Sequence, residues 1–93
     1  MDQNQHIRQQ LGQHLRRWRI LTRHTQARVA ASAGISVATL NKIETGTGGS
    51  LAAFTEVCLV LGLDHALLDA LDPADTDLGR ARAHLWNRQR ASN

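Results

Sequence analysis

Histidine, cysteine and carboxylate side chains are this chain's means of moving protons, attacking a substrate or holding a metal, and their placement supports none of these. The five histidines share no ligand spacing, and the lone cysteine, Cys58, adds little to them. No metal site is therefore expected. No nucleophile–base pair or carboxylate dyad emerges, so the chain reads as a non-enzyme without a cofactor. The run Gly46-Thr47-Gly48-Gly49-Ser50 is rich in glycine. It lacks both the Gly-Lys-Ser/Thr ending and the preceding strand of a phosphate cradle.

What remains is cationic chemistry. Residues 1–42 carry Arg8, Arg16, Arg17, Arg19, Arg23, Arg28 and Lys42 against Asp2 alone. Residues 43–77 hold seven carboxylates and no Lys or Arg, and the last sixteen residues turn basic again through Arg80, Arg82, Arg88 and Arg90. The net charge of +3 hides this segregation. A basic half suits a polyanion, and the acidic stretch suits a different use. Arg16, Arg17, Arg23 and Arg28 read equally well as solvated helix faces or as phosphate contacts.

The elements that must position these charges are helices. Ninety-three residues make one small domain, and domains of this size often gain stability by pairing. Only Trp18, Phe54 and Trp86 are aromatic, so the core is expected to be aliphatic. Ile7, Leu11, Leu15 and Trp18 form a stripe at helical spacing, which places a first helix over 7–21. Thr25 caps a second helix over 26–33, with Val29, Ala30 and Ala33 inward and Gly34 ending it. Ser36 caps a third over 37–45, closed by Gly46, with Leu40 and Ile43 inward. Ser50 caps a fourth whose inward residues are expected to be Leu51, Phe54, Cys58 and Leu61. Gly62 ends it, and Cys58 reads as an inert core residue. Asp64 is expected to cap a fifth helix, with Leu67, Leu68 and Leu71 in apolar contact, and Asp72-Pro73 stops it. In the tail, Leu78, Ala81 and Leu85 recur at helical spacing, with Thr76 or Asp77 as the cap. Leu85 and Trp86 would be costly to leave exposed, so the tail is expected to dock on a partner, to follow DNA phosphates through its arginines, or to fray. The division is a domain over 7–72 and a basic tail over 73–93.

The informative segment runs from Thr25 to Gly46: Gln26-x3-Ala30-x3-Gly34-Ile35-Ser36-x2-Thr39-Leu40-x2-Ile43-Glu44-x-Gly46. Two short helices joined at a glycine, with small residues where they cross, make a helix-turn-helix. In such a unit the second helix enters the major groove while the first crosses the phosphate backbone. Together with Leu11-Gly12, Leu15, Arg19 and Leu61-Gly62-Leu63, these residues resemble the XRE family of Cro and phage-repressor-like domains. The likeness covers about two thirds of the chain. It implies an all-α, five-helix lambda-repressor-like fold with a C-terminal basic tail or extra helix. It also implies roles: Gln26 grips phosphate and buttresses the third helix, and Ser36 and Thr39 hold phosphates. Val37, Ala38 and Lys42 point at base edges, Asn41 reaches phosphate or base, and Arg19 with Glu44 forms a structural ion pair. Val37 and Ala38 offer only contact to a thymine methyl group, and Lys42 suits a guanine edge. DNA shape is then expected to carry part of the specificity. His24 departs from the family, which usually has an apolar residue there.

Beyond residue 47, the segment from Gly48 to Pro73 and the ending Arg88-Gln89-Arg90-Ala91-Ser92 resemble HipB-like antitoxins, regulators paired with Hip-type kinase toxins. That resemblance implies a homodimer bound to its own operator and a HipA-like serine/threonine kinase toxin as second partner, with the acidic helices from Ser50 to Leu71 as the dimer and partner side. A stand-alone phage-type or metabolic repressor is the alternative, as is an interaction module that has lost its DNA. No apolar run approaches the about 20 residues a membrane span needs. With no targeting segment visible and a single cysteine, a cytoplasmic protein is expected.

Overall fold

The computed structural model describes residues 2–92, with side chains through residue 87. Seven α-helices and one 3-10 turn account for most of it, and no strand occurs among the described residues. The helices are α1 (Gln3–Leu21), α2 (Gln26–Ala33), α3 (Val37–Thr45), α4 (Leu51–Val60), α5 (Asp64–Leu71), α6 (Asp77–Ala81) and α7 (Ala83–Ser92), with the 3-10 turn at Pro73–Asp75 between α5 and α6. None is long and apolar enough to cross a membrane among the described residues. The architecture is all-α with a helix-turn-helix at its centre.

The core is aliphatic: Leu15 from α1, Val29, Ala30 and Ala33 from α2, Leu40 and Ile43 from α3, and Ala53, Val57 and Cys58 from α4. Leu40, Val29 and Val57 are the largest fully enclosed side chains, each stabilising the fold by roughly 1.5–3 kcal/mol. Thr25, Ser36 and Ser50 accept hydrogen bonds from the backbone N–H groups of Arg28, Thr39 and Ala53 at 3.0–3.1 Å, so α2, α3 and α4 begin at side-chain caps.

Five expectations need correction. Helix α1 starts at Gln3 rather than Ile7, because Asp2 caps it by accepting from the Gln5 N–H at 2.6 Å. Polar residues ahead of the first apolar one carry no periodic signal, yet they are adequate helix formers. The α1 stripe is buried only at Leu15, while Ile7, Leu11 and Trp18 remain exposed. On α4 the inward face is Ala53, Val57 and Cys58, with Phe54 and Leu61 at its margin, and Leu51 is 77% exposed. A helix that is apolar on nearly every side fits more than one register, and packing partners decide between them. Helix α5 has no side-chain cap, since Asp64 is its first residue rather than the residue before it. Its charge still favours the positive end of the helix. Only Leu67 of α5 packs on the core, and Leu68 and Leu71 face solvent.

The tail is two short helices rather than one. Thr76 caps α6 by accepting from the Gly79 N–H at 2.9 Å, and the backbone breaks at Arg82 before α7. Gly79 is buried against the Pro73 carbonyl, which a Cβ at that position would overlap.

Candidate nucleic-acid interface

Helices α2 and α3 are joined at Gly34, whose φ of 71° lets the chain turn into α3 over residues 34–36. The Ile35 N–H donates to the Ala30 carbonyl at 3.0 Å, closing the α2 end, and Ala30 is buried where the helices cross. The turn before α2 is built differently. Thr22, Arg23 and His24 close α1 through Arg23 N–H to Ile20 O (3.0 Å) and His24 N–H to Arg19 O (3.1 Å), with Arg23 at φ 61°. That is a Schellman ending in which an arginine occupies the position glycine usually takes.

Behind α3 sits a buried polar knot. Glu44 is 5% exposed. Its carboxylate accepts from Arg19 Nε at 2.7 Å and Arg19 Nη2 at 3.2 Å, a two-toothed ion pair. Gln26 Nε2 donates to the same carboxylate at 3.0 Å, and Arg19 Nη1 donates to the His24 carbonyl at 3.0 Å. One carboxylate thus ties the end of α1, the first residue of α2 and the last turn of α3 together. Charge-assisted, forked bonds of this type are the stronger class of hydrogen bond.

The α1–α3 contact is close because it is made through glycine. A Cβ at Gly12 would overlap the Ile43 carbonyl oxygen and lie 2.7 Å from that of Glu44. A Cβ at Gly46, at the end of α3, would lie 2.6 Å from Gln9 Cα and N in α1. Sequence reasoning used Gly12 only as part of a resemblance. Its position inside a helix, where glycine costs roughly 1 kcal/mol relative to alanine, was the available signal that two backbones meet there. Arg23 and Gly79 were missed as conformational residues.

The opposite side of α3 is open. Val37, Ala38, Asn41 and Lys42 are all exposed, and helical geometry puts them on one contiguous face. The Lys42 stem runs beside the 46–50 loop, where a Cβ on Gly48 would lie 3.3 Å from Lys42 Cδ. Ser36 Oγ accepts from the Thr39 N–H and donates to Thr39 Oγ1 at 2.9 Å. The Ser36 hydroxyl is therefore spent inside the cap, and the Thr39 hydroxyl keeps its own hydrogen to donate outward. Gln26 turns its amide toward α3, 3.0 Å from Glu44 and 3.5 Å from Asn41 Oδ1. Here its visible work is to brace the helix.

Two further residues lie near the unit. His24 is half-buried, and its Nδ1 is enclosed without a hydrogen-bond partner. Cys58 is buried on α4. Burial, with a smaller contribution from the charge of Asp64, pushes its thiol above the ordinary value of 9.0.

A family model described as a helix-turn-helix domain matches residues 10–71, two thirds of the chain. No curated protein and no solved structure matches it. The matched span runs from the residues before Gly12 to the end of α5, and so contains the knot, the turn and the open face of α3. The chain belongs to the helix-turn-helix domain family, and it is a DNA-binding regulator.

Proposed function

We propose that this protein is a sequence-specific autorepressor of the XRE type that binds its operator as a homodimer. The observation that carries the reading is the two-sidedness of α3. One side is tied to α1 and α2 by Glu44, and the other presents Val37, Ala38, Asn41 and Lys42 unobstructed. In the assignment we favour, Thr39 donates its free hydroxyl hydrogen to a backbone phosphate, Ser36 and Gln26 reach phosphates by exchanging their internal hydrogen bonds for them, Lys42 addresses a guanine edge, and Val37 and Ala38 meet thymine methyl groups. Asn41 serves phosphate or base. The DNA-binding unit spans 7–72, and 73–93 is the basic tail. The second half's resemblance to HipB-like antitoxins supports a HipA-like kinase toxin as partner, and a cytoplasmic location follows from both roles.

A gel shift with DNA from upstream of the protein's own gene tests the reading. Expected is a dimer on a palindrome whose recognition helices sit about 34 Å apart. Lys42→Ala relaxes preference at one base position and costs about 1–3 kcal/mol, whereas Thr39→Val weakens binding to all sequences alike. Intact operator binding by both variants at low salt overturns the site assignment. Co-purification with the product of the adjacent gene tests the antitoxin role. A neighbour unrelated to kinases removes that role and leaves a stand-alone repressor.

A further inference from the structure

Among the apolar patches left uncovered on the described surface, two are bordered by opposite charges. On α5, Leu68 and Leu71 are 67% and 80% exposed. They lie three residues apart on one helix face, with Asp64 one turn before Leu68, and Asp72, whose carboxylate accepts from the Ala74 N–H, stands just past the helix end. Exposed Leu59 and Glu56 continue the pattern on α4. On the tail, Leu78, Leu85 and Trp86 line a groove of about 380 Å³ together with Arg82 and Gly79. Leu85 is 48% and Trp86 37% exposed, and Arg88 and Arg90 follow in the α7 sequence. Within one chain neither patch covers the other. The radius of gyration is 16.3 Å, against about 12 Å for a compact chain of this length. The chain is therefore more extended than a compact one of its length.

We propose that the α6–α7 tail of one copy docks on the α4–α5 face of a second copy, and the reverse. Leu85 and Trp86 then cover Leu68 and Leu71, while Arg82, in a tail whose sequence carries no acid after Asp77, meets Asp64, Asp69 and Asp72. Such an exchange is closed and two-fold, each copy giving and receiving the same patch. Arg80 takes no part, being already paired with Asp77 at 2.6 Å. Charge complementarity selects this occupant over DNA. Phosphates would satisfy the arginines, but they would leave Leu85 and Trp86 in water beside a segment with no Lys or Arg between residues 43 and 77. A second copy satisfies both the charge and the apolar surface.

This inference rests on the homodimer reading, and sedimentation of the full-length chain without DNA separates the two. The expected result is a wild-type dimer at micromolar concentration. Leu85→Ala/Trp86→Ala dissociates at least about tenfold more readily because the apolar cover is lost, and separately Arg82→Glu/Arg88→Glu/Arg90→Glu does so because the tail's net charge then has the sign of the acidic α4–α5 face. Asp64→Arg/Asp69→Arg/Asp72→Arg is expected to form a dimer only when mixed with the arginine-reversed chain. Helix content by circular dichroism checks folding, and Leu85→Ala/Trp86→Ala alters only exposed side chains, so it decides the matter if the α5 variant unfolds. A wild-type monomer overturns both readings. A dimer whose mass survives both tail variants overturns the exchange alone. So does a tail variant that keeps its mass but loses salt-dependent DNA binding, since the tail would then be a DNA contact.

Discussion

The Arg19–Glu44 pair invites the most demanding test. Glu44 is almost wholly enclosed, and the Arg19 side chain is only 12% exposed, so neither charge has ready access to water. Truncating one partner strands the other, at a cost of roughly 3–5 kcal/mol. A domain of this size has a total stability of about 5–15 kcal/mol, so Arg19→Ala removes a large share of it. With a urea slope near 2 kcal/mol per molar, the unfolding midpoint should fall by about 1.5–2.5 M, followed by circular dichroism. Glu44→Gln should cost less, because an amide keeps a partner for Gln26. The apolar pair Arg19→Met/Glu44→Leu should recover most of the loss, since both desolvation penalties vanish together. In a double-mutant cycle the magnitude of the coupling then approaches the sum of the two single-mutant costs. A loss under about 1 kcal/mol for Arg19→Ala would mean the pair behaves as a solvent-screened one. Additive single costs would be equally damaging to the argument.

Three other outcomes follow from the geometry. Arg23→Gly should stabilise the protein by about 1 kcal/mol in the same urea experiment, since an L-residue at φ 61° carries the left-handed penalty that glycine avoids. Gly12→Ala should destabilise by about 1–3 kcal/mol or more through overpacking, and it should weaken operator binding in a gel shift by displacing α3. Cys58 should resist a thiol reagent at pH 8 in the native protein and react promptly in urea. Because folding raises its pKa, its stabilising contribution is complete below pH 9.0 and is lost as pH rises through the folded value. Urea midpoints falling above pH 9.0, with Cys58→Ala flattening that slope, check the sign.

The parts of the fold that are legible in the sequence are those with local punctuation. Helices α2 and α3 each open on a hydroxyl cap and close on a glycine, and their bounds follow from those residues alone. Helix α1 begins four residues early because Gln, Asn and His carry no periodicity. The facing of α4 is illegible because Leu51, Phe54, Val57, Leu59 and Val60 offer a core almost any side, and only the neighbours choose. Leu68 and Leu71 mislead for a related reason: apolar spacing states which face a helix has, not whether this chain covers it. In the site, the open face of α3 follows from its helix period. The meeting of Arg19 with Glu44 does not, because 25 residues separate them and only a resemblance connects them. The inward turn of Gln26 and the spending of the Ser36 hydroxyl inside its cap depend on rotamers, which sequence does not encode locally.

Gly12 and Gly46 have a bearing on how this domain can change over time. Where Gly12 meets Ile43 and Glu44, and Gly46 meets Gln9, main chain rests on main chain, so at that crossing no side chain stands between the helices to act as an adjustable spacer. A joint with interdigitating side chains can drift by exchanging one rotamer or one methyl group for another, and its angle wanders by degrees. A joint of bare backbone has no such small steps. The tilt at which α3 is presented is therefore fixed as tightly as the peptide geometry itself, and substitutions on its outer face can alter which bases are favoured without re-aiming the helix. New operators become reachable by surface change alone, while the pose of the reader is inherited intact.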